Sequence, residues 1–259
     1  MVKNNHKGII LAGGSGTRLF PVTKVVSKQL LPIYDKPMIY YPISTLINSG
    51  IKEIMIITTP LDQIIFQRLL GNGSQWGVNF EYETQEKPEG IAQSLLIAES
   101  WLNGSSPVLI LGDNLFFGPD IYSKVNIAMK KNIGATLFGY KVNDPKRFGV
   151  VEFDETNKVI SIEEKPKNPK STWAVTGLYI FNDKAVSYAR RLKKSERGEY
   201  EITDINKVYL DEQNLNVILL GEEFSWLDTG THESLLDASN FVKNTELKSG
   251  IKVADLKNI

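Results

Sequence analysis

The stretch that decides the fold runs from Lys7 to Lys28 and has the sequence KGIILAGGSGTRLFPVTKVVSK. Its apolar beginning, Gly8–Ala12, has the length of a β-strand and passes directly into a glycine-rich turn. Glycines let the backbone bend tightly and bring its N–H groups close to an anion. Arg18, Lys24 and Lys28 add positive charge beside those donors. The stretch therefore predicts a cradle for a polyphosphate and indicates chemistry on a nucleoside triphosphate.

The glycine-rich turn differs from two better-known phosphate-binding sequences. No G-x-x-x-x-G-K-[ST] string occurs in the chain, so the turn is not a P-loop. A dinucleotide-binding turn needs a third glycine, but Gly14-Ser15-Gly16 is followed by Thr17-Arg18-Leu19. An arginine at this point suits an enzyme that stabilises a pyrophosphate leaving group. For the four residues GGSG alone, an ordinary strand-to-helix turn with a surface arginine is the alternative.

Composition limits the class of protein. The chain has 259 residues and 42% hydrophobic residues, enough for one large α/β domain or two small ones. Lys+Arg and Asp+Glu both number 30, so the zero net charge argues against nucleic acid or an anionic membrane as partner. There is no cysteine for a disulfide or zinc site, and we expect neither a signal peptide nor a membrane span. A cytoplasmic enzyme is the expectation.

Strand-like and helix-like segments alternate through the first half of the chain. The predicted strands are Gly8–Ala12, Glu53–Thr58, Asn79–Tyr82 and Pro107–Leu111. The predicted helices are Met38–Ser49, Leu61–Leu70 and Ile91–Leu102. This alternation predicts an α/β fold with a Rossmann-like, doubly wound, mostly parallel sheet. Ligands bind beyond the carboxyl ends of such strands, where the Gly13–Arg18 loop and Asp113 fall.

The pattern changes at about residue 134. Closely spaced strands are predicted at Ala135–Tyr140, Val150–Phe153, Val159–Glu163 and Trp173–Phe181. Later segments are predicted as helices at Lys184–Lys193, Thr203–Glu212 and Glu233–Lys243, with a strand at Val217–Leu220. We therefore expect a small β-rich region added to the sheet. The whole of 1–259 is predicted as a single domain, with one part at about 7–133 and another at about 134–259.

Two aspartates follow apolar runs and are candidate metal ligands. Asp113 follows VLILG, and Asp228 follows Trp226-Leu227. Two carboxylates together with phosphate oxygens are a usual way to hold Mg²⁺, which keeps several waters. The alternative is that each aspartate caps the segment after it.

Two further clusters carry charge. Lys165 follows Glu163 and Glu164 at the end of a predicted strand, where the lysine could hold a phosphate and a glutamate could accept sugar hydroxyls. A solvated charge cluster is the alternative. Arg197 offers another cation near a helix start, and Thr203 or Asp204 is a candidate cap for that helix.

Two glutamines are candidate readers of a base. Gln85 follows a predicted strand, and Gln29 ends the phosphate loop. An amide both donates and accepts hydrogen bonds, so it suits a pyrimidine edge. Either residue could equally be an ordinary polar surface residue. His6 and His232 have no partner histidine at a zinc-binding spacing.

Taken together, these segments resemble the sugar-phosphate nucleotidyltransferases, and most closely the branch that transfers a thymidylyl group. The resemblance extends from about residue 7 to about residue 250. The matching segments are LAGGSGTRLFPVTKVVSKQLLPIYDKPMIYYPI, YETQEKPEGIAQS, LILGDNLFFG, RFGVVEFD, IEEKPKNPKS, AVTGLYIFN, RGEYEITDIN and SWLDTGTHESLLDAS. The phosphate loop alone indicates only the broad superfamily, whereas the pairing of KQLLP with the Gln85 segment and WLDTGTH narrows the resemblance to the thymidylyl branch.

The resemblance implies that dTTP and glucose 1-phosphate give dTDP-glucose and pyrophosphate, with Mg²⁺ as cofactor. It implies that Arg18, Lys28, Lys165 and Asp113 act in catalysis, and that Asp113 and Asp228 hold the metal. The nucleotide-binding residues that it implies are Leu11, Gly13, Gly14, Gly16, Thr17, Gln29, Gln85 and Gly90. The sugar-phosphate-binding residues that it implies are Asn114, Gly149, Glu164, Lys165, Val175, Arg197 and Trp226.

The chain departs from its relatives in two places. Phe148 stands where many of them carry a tyrosine, so one hydrogen bond is expected to be missing. The sequence ends at Ile259, whereas longer relatives continue into helices that help to build a regulatory nucleotide site between subunits. The resemblance is therefore to a short form, for which feedback inhibition is in doubt and a homo-oligomer, dimer or tetramer, is still expected. A sister transferase that uses UTP or another sugar 1-phosphate, a non-catalytic sugar-nucleotide sensor and a nucleic-acid-binding protein are the alternatives.

Overall fold

A computed structural model describes residues 5–14 and 16–256. The first four residues of the N-terminal lead, Ser15 of the glycine-rich turn and residues 257–259 lie outside the described part. The strands are β1 His6–Ala12, β2 Pro32–Ile33, β3 Lys36–Pro37, β4 Glu53–Thr58, β5 Asn79–Thr84, β6 Ser106–Leu111, β7 Asn114–Phe117, β8 Ala135–Lys141, β9 Gly149–Phe153, β10 Val159–Glu164, β11 Trp173–Phe181, β12 Leu215–Leu220 and β13 Ser225–Asp228. The α-helices are α1 Tyr40–Asn48, α2 Gln63–Leu70, α3 Gln93–Ile97, α4 Glu99–Leu102, α5 Ile121–Lys131, α6 Ala185–Ala189, α7 Ile202–Asp211 and α8 His232–Ser249.

The chain forms two compact units, each assembled from separate segments. The first, which we call the loop unit, consists of Gly8–Pro88, Ile110–Asn126 and the described residues from Ser225 onward. The second, which we call the β-rich unit, consists of residues 5–7, Glu89–Leu109 and Ile127–Phe224.

A parallel sheet forms the base of the loop unit. β4 pairs in parallel with β1 and with β5, so the carboxyl ends of the three strands lie at one edge. Ile10 and Ile56 on neighbouring strands are fully buried, as is Leu46 on α1. A Cβ at Gly8 would lie 2.8 Å from the Leu46 side chain, so α1 packs closely on β1.

A two-stranded antiparallel ribbon of β7 and β13 is the second feature of the loop unit. An apolar cluster beneath it joins the ribbon, the β2–β3 hairpin and α8. Its buried members are Ile33, Met38, Tyr41, Leu115, Ala238, Val242, Val253 and Ala254. This packing fixes the direction in which the chain leaves β7 and β13.

The β-rich unit contains most of the antiparallel pairing. β11 pairs with β8 and β9, β10 pairs with β9, and β12 runs parallel to β8. Stacked aromatic rings of Phe181 and Tyr209, whose centroids are 5.8 Å apart, join β11 to α7. The predicted α/β class, with a mostly parallel sheet and an added β-rich region, is confirmed.

Several predicted elements were wrong in extent. The predicted helix Ile91–Leu102 is two short helices, because the backbone of Ala98 (φ −81°, ψ −1°) interrupts it. The closing helix runs to Ser249, beyond the predicted end at Lys243, because Val242 and Glu246 are buried and continue its inner face. The short strands of the ribbon were not predicted. Within the described residues, no helix is both long and apolar enough to cross a membrane.

Candidate active site

The phosphate loop, described at residues 13–14 and 16–30, follows the carboxyl end of β1 and is held by hydrogen bonds to the Gly16 carbonyl. Gly16 has φ +57°, a left-handed conformation that a side chain disfavours. Its carbonyl accepts from the Leu19 N–H at 2.9 Å and from Thr23 Oγ1 at 2.7 Å. These bonds fix the course of the chain on both sides of Arg18.

A cavity of about 260 Å³ opens at this loop. Most of the residues that line it are ones for which the sequence predicted phosphate contacts. They are Gly13, Gly14, Gly16, Thr17, Arg18, Lys28, Gln29, Asp113 and Gly230. The cavity thus combines a guanidinium, an ammonium and a carboxylate with glycine backbone, as a polyphosphate site requires.

Arg18 lies directly against the chain that follows β13. A Cβ at Gly230 would be 2.9 Å from one terminal guanidinium nitrogen and 3.0 Å from the other. Such an approach is closer than ordinary van der Waals contact, so only a residue without a Cβ allows it. Gly230 was not among the predicted site residues, although it lies within the WLDTGTH segment.

Asp113 forms an ion pair with Lys28 through Oδ2. Its other oxygen, Oδ1, accepts from Asn114 Nδ2 at 2.9 Å. Burial raises the pKa of the Asp113 carboxyl, but the Lys28 ammonium and these hydrogen bonds outweigh burial and hold the pKa below its usual value. Asp113 is therefore ionised at neutral pH.

The ribbon pairs Asp228 with the residue that follows Asp113. Asp228 is the direct partner of Asn114 in the β7–β13 ladder. One residue further on, Thr229 Oγ1 donates to the backbone carbonyl of Asp113 at 3.0 Å. The alternative that Asp228 caps the following helix is wrong, because Thr231 is the N-cap of α8.

Both predicted base-reading glutamines are buried. Gln29 is 4% exposed and Gln85 is 5% exposed, so the alternative that they are surface residues is wrong. Gln29 Oε1 accepts from Ser27 Oγ at 2.8 Å. Gln85 Oε1 lies 2.9 Å from the position that a Cβ on Gly13 would occupy. Gln29 Nε2 donates to the Gly13 carbonyl at 3.5 Å, so both amides lie close to the start of the phosphate loop.

The β-rich unit gathers a second group of predicted residues around Glu164. Glu164 Oε2 accepts from Thr203 Oγ1 at 2.5 Å. A Cβ at Gly149 would lie 3.5 Å from Glu164 Oε2 and 3.7 Å from Val175. Lys165 Nζ is 3.7 Å from Glu164 Oε1, and the lysine side chain is 45% exposed. The alternative that Thr203 or Asp204 caps α7 is wrong, because the N-cap is Glu201 and no side chain caps the helix.

Arg197 is surrounded by carboxylates. Its guanidinium lies 3.6 Å from Glu164, 2.5 Å from Glu199 and 3.7 Å from Glu201. Glu201 is buried and accepts from Ser195 Oγ at 2.7 Å. Burial raises the pKa of Glu201, only partly opposed by the Ser195 hydrogen bond and Arg197. Glu201 and Thr203 were not predicted as site residues.

Three other predicted residues have well-defined places. Trp226 Nε1 donates to Asn114 Oδ1 at 2.6 Å within the ribbon of the loop unit. The Leu11 carbonyl accepts from the Gly112 N–H at 2.9 Å. Gly90 belongs to the β-rich unit, where it packs on the backbone of Tyr200.

Comparison with known proteins places this geometry in a family. A family model described as nucleotidyl transferase matches residues 7–245. The chain therefore belongs to the nucleotidyl transferase family.

Its relatives narrow the class further. The chain is 55% identical over 248 residues to the glucose-1-phosphate thymidylyltransferase of Xanthomonas campestris pv. campestris, which covers 96% of this chain and 84% of that protein. It is 54% identical over 253 residues to the glucose-1-phosphate thymidylyltransferase of Neisseria gonorrhoeae, covering 98% and 88%. A crystal structure from Bacillus anthracis, assigned as a glucose-1-phosphate thymidylyltransferase in complex with sucrose, superposes with a TM-score of 0.87 at 43% identity, covering 98% of this chain and 99% of that one.

Proposed function

We propose that this protein transfers a thymidylyl group from dTTP to glucose 1-phosphate, giving dTDP-glucose and pyrophosphate. The observation that carries the proposal is the cavity in which Arg18, Lys28 and Asp113 meet the glycine backbone of the phosphate loop. The relatives named glucose-1-phosphate thymidylyltransferase support this choice of substrates.

The reaction is a direct displacement at the α-phosphorus of dTTP. An oxygen of the sugar phosphate forms the new bond to phosphorus, while the bond to the pyrophosphate oxygen breaks on the opposite side. The attacking oxygen is already ionised near neutral pH, so no general base is needed. The main obstacle is repulsion between two anions, which fixed positive charges relieve. Arg18 and Lys28, aided by backbone N–H groups of Gly13, Gly14, Gly16 and Thr17, take this role.

Gln29 and Gln85 read the thymine ring in this proposal. Their burial near Gly13 supports the role, since a buried amide with a fixed orientation discriminates between donors and acceptors. Leu11 and Gly90 complete the nucleotide-binding set.

The sugar phosphate is assigned to Lys165 and Arg197. Lys165 supports this role best, because its side chain is partly exposed and its ammonium has only Glu164 within ion-pair distance among the described residues. Contacts with the glucose ring are assigned to Asn114, Gly149, Glu164 and Val175. Trp226 is assigned to the side of the sugar-binding site. Glu164 suits sugar hydroxyls, because a carboxylate accepts several hydrogen bonds.

Mg²⁺ is the proposed cofactor, held by Asp113 and Asp228. The described residues contain no cluster of three or more candidate metal ligands. Asp228 is nevertheless the ladder partner of Asn114, the residue that follows Asp113, and two carboxylates suit this ion, which keeps several waters and takes its other ligands from substrate phosphates. Bound there, Mg²⁺ supplies positive charge to the phosphate oxygens.

One assay tests the proposal. Pyrophosphate release is measured from glucose 1-phosphate with dTTP, UTP, CTP and ATP, each with Mg²⁺ and with excess chelator. We expect dTTP to be preferred and chelator to abolish release. Preference for UTP would assign the chain to a sister transferase, and undiminished release in chelator would refute the metal site. No release from any triphosphate would favour a non-catalytic sugar-nucleotide sensor.

We further propose a cytoplasmic homo-oligomer, a dimer or tetramer, that binds small-molecule substrates and neither nucleic acid nor membranes. The balanced composition of 30 basic and 30 acidic residues supports the proposal that the protein binds neither nucleic acid nor membranes. Light scattering of the purified chain in solution tests the oligomeric state, and a monomer would contradict it. A single domain with a nucleotide-binding part at about 7–133 and a sugar-binding part at about 134–259 stays a prediction.

A further inference from the structure

The Lys28–Asp113 ion pair joins a proposed phosphate contact to a proposed metal ligand. The side chains of Lys28 and Asp113 are 10% and 18% exposed, so the pair is largely shielded from water. Both residues also line the cavity of the phosphate loop. An ionised carboxylate in such a place needs a cation or several hydrogen-bond donors, and here the cation is Lys28.

The two oxygens of Asp113 are held very differently. Oδ1 accepts from Asn114 Nδ2, and Asn114 is itself fixed by Trp226 Nε1 at 2.6 Å and by the β7–β13 ladder. Oδ2 is held by the end of a flexible lysine side chain whose backbone lies in the phosphate loop. Lysine is a point charge on a four-carbon stem and changes partner easily. Oδ2 is therefore the oxygen that can exchange one cation for another.

We propose that Lys28 and the divalent cation compete for Asp113, so that metal binding releases Lys28 to the triphosphate. Without metal, Lys28 neutralises the buried carboxylate. A cation on Oδ2 weakens the contact of the ammonium with that oxygen, because the two positive charges repel each other at contact distance. This inference rests on the proposed function and deepens it, since Lys28 becomes available to phosphate only after the carboxylate has received its metal.

The competition predicts an effect on metal affinity in the absence of nucleotide. The probe is Mn²⁺ alone, with free ion measured by electron paramagnetic resonance. Removal of Lys28 as Lys28→Met frees Asp113, and we expect the Kd for Mn²⁺ to fall by about fivefold or more. Asp113→Asn is expected to abolish this binding in either background.

Arg18→Met is the matched control. It removes a positive charge from the same cavity but leaves the Lys28–Asp113 pair in place. A rise in Mn²⁺ affinity as large in Arg18→Met as in Lys28→Met would mean that only the general charge of the cavity matters, and would overturn direct competition. An unchanged Kd in Lys28→Met would overturn it as well.

A second measurement uses the unaltered protein. Lysine labelling by an amine-reactive reagent, quantified by mass spectrometry, reports the accessibility of Lys28. We expect Mn²⁺ to increase labelling of Lys28 while leaving the exposed Lys146 unchanged. Equal labelling of Lys28 with and without Mn²⁺, at concentrations where Mn²⁺ binds, would contradict the release.

Failure of this inference can be told apart from failure of the proposed function. If the protein turns over dTTP and binds Mn²⁺, but Lys28→Met binds Mn²⁺ no more tightly, the competition alone is refuted. If Mn²⁺ fails to bind even in the presence of dTTP, the competition and the proposed metal site are both refuted.

Discussion

At the scale of single residues, Gly230 determines where Arg18 lies. Guanidinium atoms lie within 3.0 Å of the position that a Cβ would take, so the observed position of the arginine depends on glycine at residue 230. Positively charged donors that are already in place need no reorganisation when charge develops on a leaving group. The position of the Arg18 charge therefore depends on Gly230, although the two residues are far apart in sequence.

Substitution of Arg18 by alanine tests the charge itself. We expect turnover to fall by ~10²-fold or more, as for removal of other preorganised donors. Steady-state pyrophosphate release with dTTP measures the effect, and the exposed Arg68 substituted by alanine is the control. Near-normal turnover in Arg18→Ala would contradict the assignment.

Substitution of Gly230 by alanine tests the position of the charge. The new methyl group displaces the flexible end of Arg18, so we expect a lower kcat with little change in the urea midpoint. In a double-mutant cycle, Gly230→Ala should add little in the Arg18→Ala background, because the group that it displaces is gone. Additive losses of kcat in the double mutant would show that Gly230→Ala acts through a group other than the Arg18 side chain.

Glu201 provides a pH-dependent test in the β-rich unit. Its pKa is raised mainly by burial, so the folded state holds this proton more tightly than the unfolded state. The wild-type free energy of unfolding therefore decreases as pH rises from the unfolded pKa of Glu201 through its folded pKa. Glu201→Gln lacks this loss.

Urea unfolding at several pH values measures the difference between the two proteins. We expect the stability of Glu201→Gln relative to wild type to rise as the pH increases from the ordinary pKa of a glutamate through the raised pKa of Glu201 in the folded protein. A relative stability that falls with pH would contradict the direction of the shift.

At the scale of elements, the β7–β13 ribbon and the start of α8 determine the positions of Asp228, Gly230 and Thr231. The ladder sets Asp228 opposite Asn114, and the chain then passes through Gly230 into the helix. Thr231 accepts from the Ser234 N–H at 3.1 Å, and Ser234 Oγ accepts from the Thr231 N–H at 3.0 Å. This reciprocal cap fixes the point at which α8 begins.

Removal of the cap by Thr231→Ala should reduce the free energy of unfolding by about 1 kcal/mol. The Ser234 N–H in the first turn loses its side-chain acceptor, while the apolar face of α8 is unchanged. Urea unfolding measures the loss, and Asn244→Ala on the exposed face of the same helix is the control. Equal stability of Thr231→Ala and wild type would show that water replaces the cap at no cost.

Strong local patterns explain which elements were predictable. EIMIIT at β4 and WAVTGLYIF at β11 were placed without error, because long apolar runs are typical of buried strands. β7 and β13 have only four residues each, and their pairing depends on a partner more than a hundred positions away. No local periodicity encodes such a pairing. The same holds for Gly230, whose role depends on the Arg18 side chain that packs on it.

At the scale of the whole molecule, the predicted site residues divide between the two units. Arg18, Lys28, Gln29 and Asp113 belong to the loop unit, whereas the Glu164 and Arg197 clusters belong to the β-rich unit. Sequence resemblance pointed to these residues as a set. It could not give the local partners, such as the three carboxylates around Arg197, because these depend on packing in three dimensions.

Hydrogen exchange can test this division. We expect dTTP with Mg²⁺ to slow amide exchange in residues 16–30 and 110–117 of the loop unit, because bound ligand suppresses local opening. Glucose 1-phosphate added in the absence of nucleotide should slow exchange in residues 149–165 and 195–203. Mass spectrometry after proteolysis measures both, with α2 as an internal control. Protection of the β-rich unit by dTTP alone would contradict the assignment.

The cavity of the phosphate loop has a consequence for synthesis of the protein. Gly13 and Gly230 line the same cavity, and Gly230 follows β13 in the chain. The wall of the cavity is therefore incomplete until the ribosome has synthesised and released β13 and Gly230. At ordinary translation speed, synthesis of Gly230 follows synthesis of the glycine-rich turn by on the order of tens of seconds. A nascent chain therefore cannot acquire this wall of its nucleotide pocket early, however soon β1 emerges.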